Sequence, residues 1–157
     1  MDKTQPRGEA ARRASPRLHP ARRQDRWLIL RRILGEGLDP TKLNWRRFVV
    51  AEDDEGRVVG FAQMKELGAG VREFGSLVVE PERRGQGVGG ALIAHFLDTS
   101  PHPIYLLCGL HNVNYYRRFG FRRLQEEEMP APLRRKWRRG RFFARLLKTD
   151  VAAMAIG

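Results

Sequence analysis

Leu77-Val78-Val79-Glu80-Pro81-Glu82-Arg83-Arg84-Gly85-Gln86-Gly87-Val88-Gly89-Gly90, running on into Ala91-Leu92-Ile93-Ala94-His95-Phe96-Leu97, is the stretch around which the chain is organised. It reads as a strand, a basic glycine-rich turn and a helix. The strand is a short apolar run ended by Glu80-Pro81. The helix carries apolar residues at 88, 92, 93, 96 and 97, the spacing of one buried face. Four glycines fall within six residues where the helix begins. A helix start leaves backbone N–H groups without partners and carries a partial positive charge. Glycines let a large anion approach those groups closely. The local physics is that of a pyrophosphate cradle.

Three phosphate-binding patterns are candidates. A P-loop requires Lys-Ser or Lys-Thr after its glycines, and none follows here. Gly85-x-Gly87-x-x-Gly90 satisfies the dinucleotide pattern in letters. That fold, however, runs its strand directly into the first glycine and places an acid about 20 residues on. Residues 80–84, Pro81 among them, intervene, and the next strand candidate ends in Cys108-Gly109. The third pattern, Arg-x-x-Gly-x-Gly, is met by Arg84-Gly85-Gln86-Gly87-Val88-Gly89. With Val79-x-Pro81 before it and a Leu-rich amphipathic helix after it, the string resembles the acyl-CoA motif of the GNAT superfamily of N-acetyltransferases.

Working outward, 157 residues suit one domain with a substantial core, and 41% hydrophobic residues suit a soluble globular chain. No run reaches the roughly 18 apolar residues of a membrane span. One cysteine, Cys108, excludes a disulfide framework within the chain and fits a reducing, cytoplasmic setting. The net charge of +12 is concentrated: residues 1–26 carry +5 and residues 134–148 carry +8, so the body between is close to neutral. That distribution weakens the nucleic-acid reading that the overall charge would suggest. Residues 1–15 lack apolar periodicity and read as a disordered basic tail; residues 16–157 read as the domain. The tail is Arg-rich, as an organelle leader is, but Asp2, Glu9 and the missing amphipathic face argue against one.

Residues 16–21 could supply a first strand. A helix starts at Asp25 and closes at Gly35 and Gly37. A loop at 38–45 follows. Residues 47–52, 57–67 and 71–79 form an antiparallel meander around turns at 53–56 and 68–70. After the central helix, 104–108 is a strand of buried type, parallel to the central one if the connection is a right-handed crossover. Tyr115-Tyr116-x-x-x-Gly120-Phe121 reads as a short helix, a glycine stop and a strand. Pro130 and Pro132 mark a linker. Residues 133–148 read as a basic amphipathic helix interrupted by Gly140, and 151–156 could be a closing strand.

The strand, helix, meander, glycine turn, helix, strand order is similar to the GNAT order over residues 17–124. The fold implied is α/β, a mixed sheet splayed between two parallel strands and flanked by helices, with the basic C-terminal helix as an extra. The activity implied is direct transfer of an acetyl or related acyl group from acetyl-CoA to a primary amine, with no metal. The resemblance assigns the CoA contacts to Leu77, Val78, Val79, Arg84, Gly85, Gln86, Gly87, Val88, Gly89 and Gly90. An asparagine in the following helix joins them, and Asn112 and Asn114 both stand close to that place. Tyr116 matches the family's usual acid. Glu73 is the candidate base: by period two it shares a face with Leu77 and Val79, although a salt-bridged carboxylate is the alternative. Glu52 and Glu66 are weaker candidates. Asn44 and Trp45, in the loop that borders the acceptor site in this family, are candidate acceptor contacts or ordinary packing residues. Cys108 reads as a small buried residue, and His111 as a surface residue at a strand end.

Two other functions compete. The run Arg134-Arg135-Lys136-Trp137-Arg138-Arg139-Gly140-Arg141 mixes arginine with tryptophan, as phosphate-binding segments do, and could serve a nucleic-acid or ribosome-associated protein. A sensor that binds acyl-CoA without transferring it would keep the glycine turn while dispensing with Glu73 and Tyr116.

Overall fold

The computed structural model describes residues 15–41 and 43–157, so the predicted tail lies outside the described residues except for Ser15. The strands are β1 (Arg17–Pro20), β2 (Phe48–Glu52), β3 (Val58–Gly68), β4 (Val71–Val79), β5 (Ile104–Gly109), β6 (Arg122–Arg123) and β7 (Val151–Ile156). Helices are α1 (Arg26–Gly35), α2 (Val88–Thr99), α3 (Val113–Arg117) and α4 (Ala131–Leu146). The described strands form one sheet in the order β1-β2-β3-β4-β5-β7-β6. Only β4 and β5 run parallel, and they pair only at Arg72 with Ile104 and Glu73 with Tyr105. Beyond those two positions the strands part, and the sheet is splayed there.

Helices cover both faces. On one, Leu92, Ile93 and Phe96 of α2 pack on Phe74, Leu106 and Met154, with Tyr115 and Tyr116 alongside. On the other, Ile29 and Ile33 of α1 pack on Phe48, Phe61 and Val78. Full burial of a side chain such as Leu92 or Ile33 stabilises the fold by about 1.5–3 kcal/mol.

The C-terminal helix departs from its sequence reading in two ways. Pro130 and Pro132 do not form a linker: Pro130 is the N-cap of α4 and Pro132 lies in its first turn, where no backbone N–H is required. Gly140 does not interrupt the helix, because Leu133, Trp137 and Ala144 anchor it on both sides of that residue. Trp137 also donates from Nε1 to Val151 O at 2.9 Å, tying α4 to β7. Trp137→Phe keeps the ring and removes this donor. It is expected to lower the unfolding free energy by about 1–3 kcal/mol, measured by urea denaturation. β7 lies between β5 and β6 and pairs with β5 along its whole length.

Candidate active site

The glycine turn ends in the start of α2 and borders a cleft. Gly87 caps α2 at φ +87°, a backbone state that glycine adopts without steric cost. Ala91 N–H is bonded to Gly87 O, so the N–H groups of Val88, Gly89 and Gly90 precede the helical ladder. They face a cleft of about 660 Å³ lined by Leu77, Val78, Val79, Arg84, Gly85, Gly87, Val88, Gly89, Gly90, Asn112 and Tyr116. Nearly all the predicted cofactor residues therefore meet in one place, and of the two asparagines it is Asn112 that lines the cleft. Gln86 does not join them: its side chain donates to Glu82 O at 2.9 Å. Arg83, Tyr115, Arg118 and Glu36 join without having been anticipated. Arg118 sits over the Tyr115 ring at 4.9 Å. Its signal was the basic pair Arg117-Arg118 directly after the two tyrosines. Arg84 bonds Val79 O and Glu36 Oε1, at 3.1 and 3.2 Å.

Tyr116 packs edge-on against Phe74, Tyr115 and Phe121. Burial pushes its phenol well above the ordinary tyrosine value, and Cys108 and Tyr115 act in the same direction. The residue therefore stays protonated through neutral and mildly alkaline pH and keeps an O–H donor there. Burial likewise raises the Cys108 thiol, to about 11, which makes it a poor nucleophile.

Glu73 corrects the sequence reading. Period two would put it on the face of Leu77 and Val79, but β4 has a bulge. The register passes from Phe61 opposite Val78 to Gln63 opposite Gly75, so β4 carries one extra residue there. Ser76, at φ +53°, takes up that residue, and Gln63 Nε2 donates to its Oγ at 3.0 Å. Alternation is reset across the bulge. Phe74, Leu77 and Val79 face α2, whereas Glu73 and Val78 face the other side.

On that side Glu73 lies in a second cavity, of about 440 Å³, with Leu38, Asp39, Thr41, Lys65, Gly75, Ser76, Leu107, Lys136, Arg139, Gly140 and Phe143 among its walls. Lys136 Nζ bonds Glu73 Oε2 at 2.5 Å and lies 3.3 Å from Asp39. Lys65 is the register partner of Glu73 across β3 and β4, and its Nζ is 3.7 Å from Asp39. Burial lowers the Lys65 pKa, and repulsion from Lys136 adds to this, against the opposing pull of Glu73 and Asp39. Burial alone would raise the Asp39 pKa, but hydrogen bonds from Thr41 and the two lysines outweigh it and hold the carboxyl low. Lys65 was legible in principle, because Phe61, Gln63 and Lys65 alternate onto one inward face. Lys136 was hidden within a run of exposed-looking cations.

The 38–45 loop does border this cavity, through Leu38, Asp39 and Thr41 rather than the residues anticipated. Asn44 Oδ1 accepts from Arg46 N and caps a turn. Trp45 lines a separate hollow with Trp27, Leu30 and Leu43. Glu52 is taken up by His19, Arg17 and Arg22, and Glu66 faces Arg72. Several α4 cations are also engaged within the fold: Arg134 with Met129 O, Arg138 with Glu126 and Arg141 with Asp150.

The two cavities meet β4 end to end where it leaves β5, the first running to Leu77 and the second from Ser76.

Comparisons with known proteins agree with this geometry. A family model described as "Acetyltransferase (GNAT) domain" matches residues 44–123. No curated protein matches the chain. Among solved structures, N-acetylglutamate synthase from Neisseria gonorrhoeae, complexed with coenzyme A and N-acetyl-glutamate, superposes with a TM-score of 0.71 at 20% identity. The match covers 92% of this chain but 36% of that one, so this chain spans about a third of that protein's length. Rv2747 from Mycobacterium tuberculosis, in complex with CoA, gives a TM-score of 0.68 at 18% identity, covering 90% of this chain and 98% of that one. Arabidopsis thaliana Naa50, with the bisubstrate analogue CoA-Ac-MVNAL, gives 0.59 at 20% identity, covering 92% and 99%.

Proposed function

The chain belongs to the GNAT acetyltransferases, and from that premise we propose that it moves an acetyl group from acetyl-CoA directly to a primary amine. The observation that carries this reading is the open angle between β4 and β5, with the first turn of α2 at one end and Tyr116 on its wall. The lining suits CoA: free N–H groups and the Arg84 and Arg118 guanidiniums for a pyrophosphate, and strand backbone for an extended arm.

Acetyl-CoA bound there supplies an activated acyl carbonyl and a thiol leaving group. The chain supplies the rest. Backbone of residues 77–79 has no described strand beside it where β5 departs, and it hydrogen-bonds the pantetheine amides as an added strand would once Arg84 releases Val79 O. A backbone N–H at the bulge polarises the carbonyl. The acceptor amine, with a reference pKa of ~10.4 for lysine, must lose a proton before it attacks. Glu73 is the carboxylate at hand for that proton, directly or through water, once Lys136 lets go of it. Tyr116 donates a hydrogen bond to the sulfur as the C–S bond breaks and the C–N bond forms. N-acetylglutamate synthase and Naa50, whose complexes contain an acetylated amino acid and a peptide analogue, support amine acceptors as a class.

The test is an acetyl-CoA-dependent panel of amino acids, polyamines and peptides with free N-termini or lysines, read by release of CoA thiol. At least one acceptor is expected to saturate. CoA binding without turnover on any acceptor would favour the sensor reading. Failure to bind CoA at all would overturn the proposal.

A further inference from the structure

The acceptor cavity holds an unusual charge arrangement for a site said to receive an amine. Lys65, Lys136 and Arg139 stand against two carboxylates, Glu73 and Asp39. The lysines are withdrawn from water: the Lys65 side chain is 3% exposed and that of Lys136 18%. Lysine is rarely buried this far unless an anion faces it. Yet Lys65 lies 3.7 Å from Asp39, and Glu73, its cross-strand neighbour, places Oε2 on Lys136. The third cation, Arg139, is exposed, so among the described residues Lys65 and Lys136 stand against Glu73 and Asp39 as two charges of each sign.

We propose that the acceptor is a zwitterion, an amine bearing a nearby carboxylate as a free α-amino acid does, with its carboxylate between Lys65 and Lys136 and its amine at Glu73. This rests on the acyltransferase reading and narrows its substrate. The four inner charges neutralise one another in the ligand-free protein, and a zwitterion presents the same two signs to them. Its carboxylate draws Lys136 from Glu73, which frees the Glu73 oxygen for the incoming ammonium. An amine without a carboxylate leaves Lys136 on Glu73 and meets two buried cations, so it gains no base and encounters like charge. A polyamine fits worst. Leu38, Leu107 and Phe143 offer an apolar wall for the rest of the acceptor, and Gly140 leaves room, with nothing within 4 Å of the place its Cβ would occupy.

The experiment compares each free α-amino acid with its α-amide and its decarboxylated amine. Turnover is read by CoA thiol release, and binding by calorimetry in the presence of CoA. For the best amino acid, kcat/KM is expected to exceed that of the amide and the decarboxylated amine by about a hundredfold. Lys65→Met should raise KM for that amino acid by about tenfold or more, with the Kd for CoA little changed. Lys136→Arg should retain more activity than Lys136→Met. Equal or better turnover of the amide or the decarboxylated amine overturns the inference while acyl transfer stands. Binding of CoA with no amino acid either bound or acetylated also overturns it. Loss of CoA binding in the unaltered protein would remove the acyltransferase reading itself.

Discussion

Replacing Gly87 and Gly89 together by aspartate is expected to weaken CoA binding by at least about a hundredfold, while the sheet continues to fold. Three effects act in one direction. Gly87 is at φ +87°, where a side chain costs about 1–2 kcal/mol, so the cap of α2 shifts. At Gly89 a Cβ would come within 2.6 Å of the Tyr115 hydroxyl, so the Tyr115 side chain on the cleft wall has to shift. Two carboxylates are then set where an anion must lie, among N–H groups whose partial charge they neutralise. A factor of a hundred corresponds to about 2.7 kcal/mol, well within the sum of these effects. Calorimetric titration with CoA measures it, with circular dichroism as the control for folding. Affinity within a few-fold of the unaltered protein would mean that the pyrophosphate lies elsewhere.

Tyr116→Phe is expected to reduce kcat by about a hundredfold and to leave the KM for acetyl-CoA nearly unchanged. The ring is held by its aromatic neighbours, so the substitution removes the hydroxyl without disturbing the packing. A donor that acts only as charge develops on the departing sulfur affects the rate and not ground-state binding. Its raised pKa defines the form of its contribution. A thiol has a reference value of ~8.5, below that of tyrosine, so Tyr116 offers a hydrogen bond more readily than a complete proton transfer. The sign of the pH effect follows. The useful form is the protonated one, and a raised pKa extends that form upward. The kcat profile should therefore show no alkaline loss due to Tyr116 below about pH 10. Turnover of Tyr116→Phe equal to that of the parent at saturating substrates would assign the residue to packing alone.

The donor half of the site was legible because its parts are local. Strand, turn and helix from Leu77 to Phe96 act through backbone N–H groups and a helix start, which depend on glycine spacing and little else. Tyr116 follows on the next helix, beside a glycine stop. Gln86 is absent from the cleft's lining because its side chain folds back on Glu82, while the rest of the turn borders the cleft. The second cavity was opaque because it is assembled from distant segments, with Asp39, Lys65, Glu73 and Lys136 arriving from four separate parts of the chain. Glu73 was assigned to the wrong face because a strand was read as strictly periodic. Ser76 bears no mark of a bulge in a sequence, since a serine with φ > 0 is held there by Gln63 and the partner strand rather than by its own preference. The basic run of α4 was read as a basic amphipathic helix or a phosphate-binding segment. Its burial stripe of Leu133, Trp137 and Ala144 instead turns Lys136 inward.

The insertion of β7 between β5 and β6 also imposes an order of assembly. A ribosome releases residues 71–119 as one continuous run, and with them every wall of the cleft around the glycine turn except Glu36, which emerges earlier still. The opposite cavity has to wait. Its Lys136 comes with α4, α4 is fastened through Val151, and β6 has no neighbour in the sheet until β7 slides in beside it. A nascent chain halted before residue 151 would lack β7, the strand that pairs with both β5 and β6 and whose Val151 is part of the second cavity's wall.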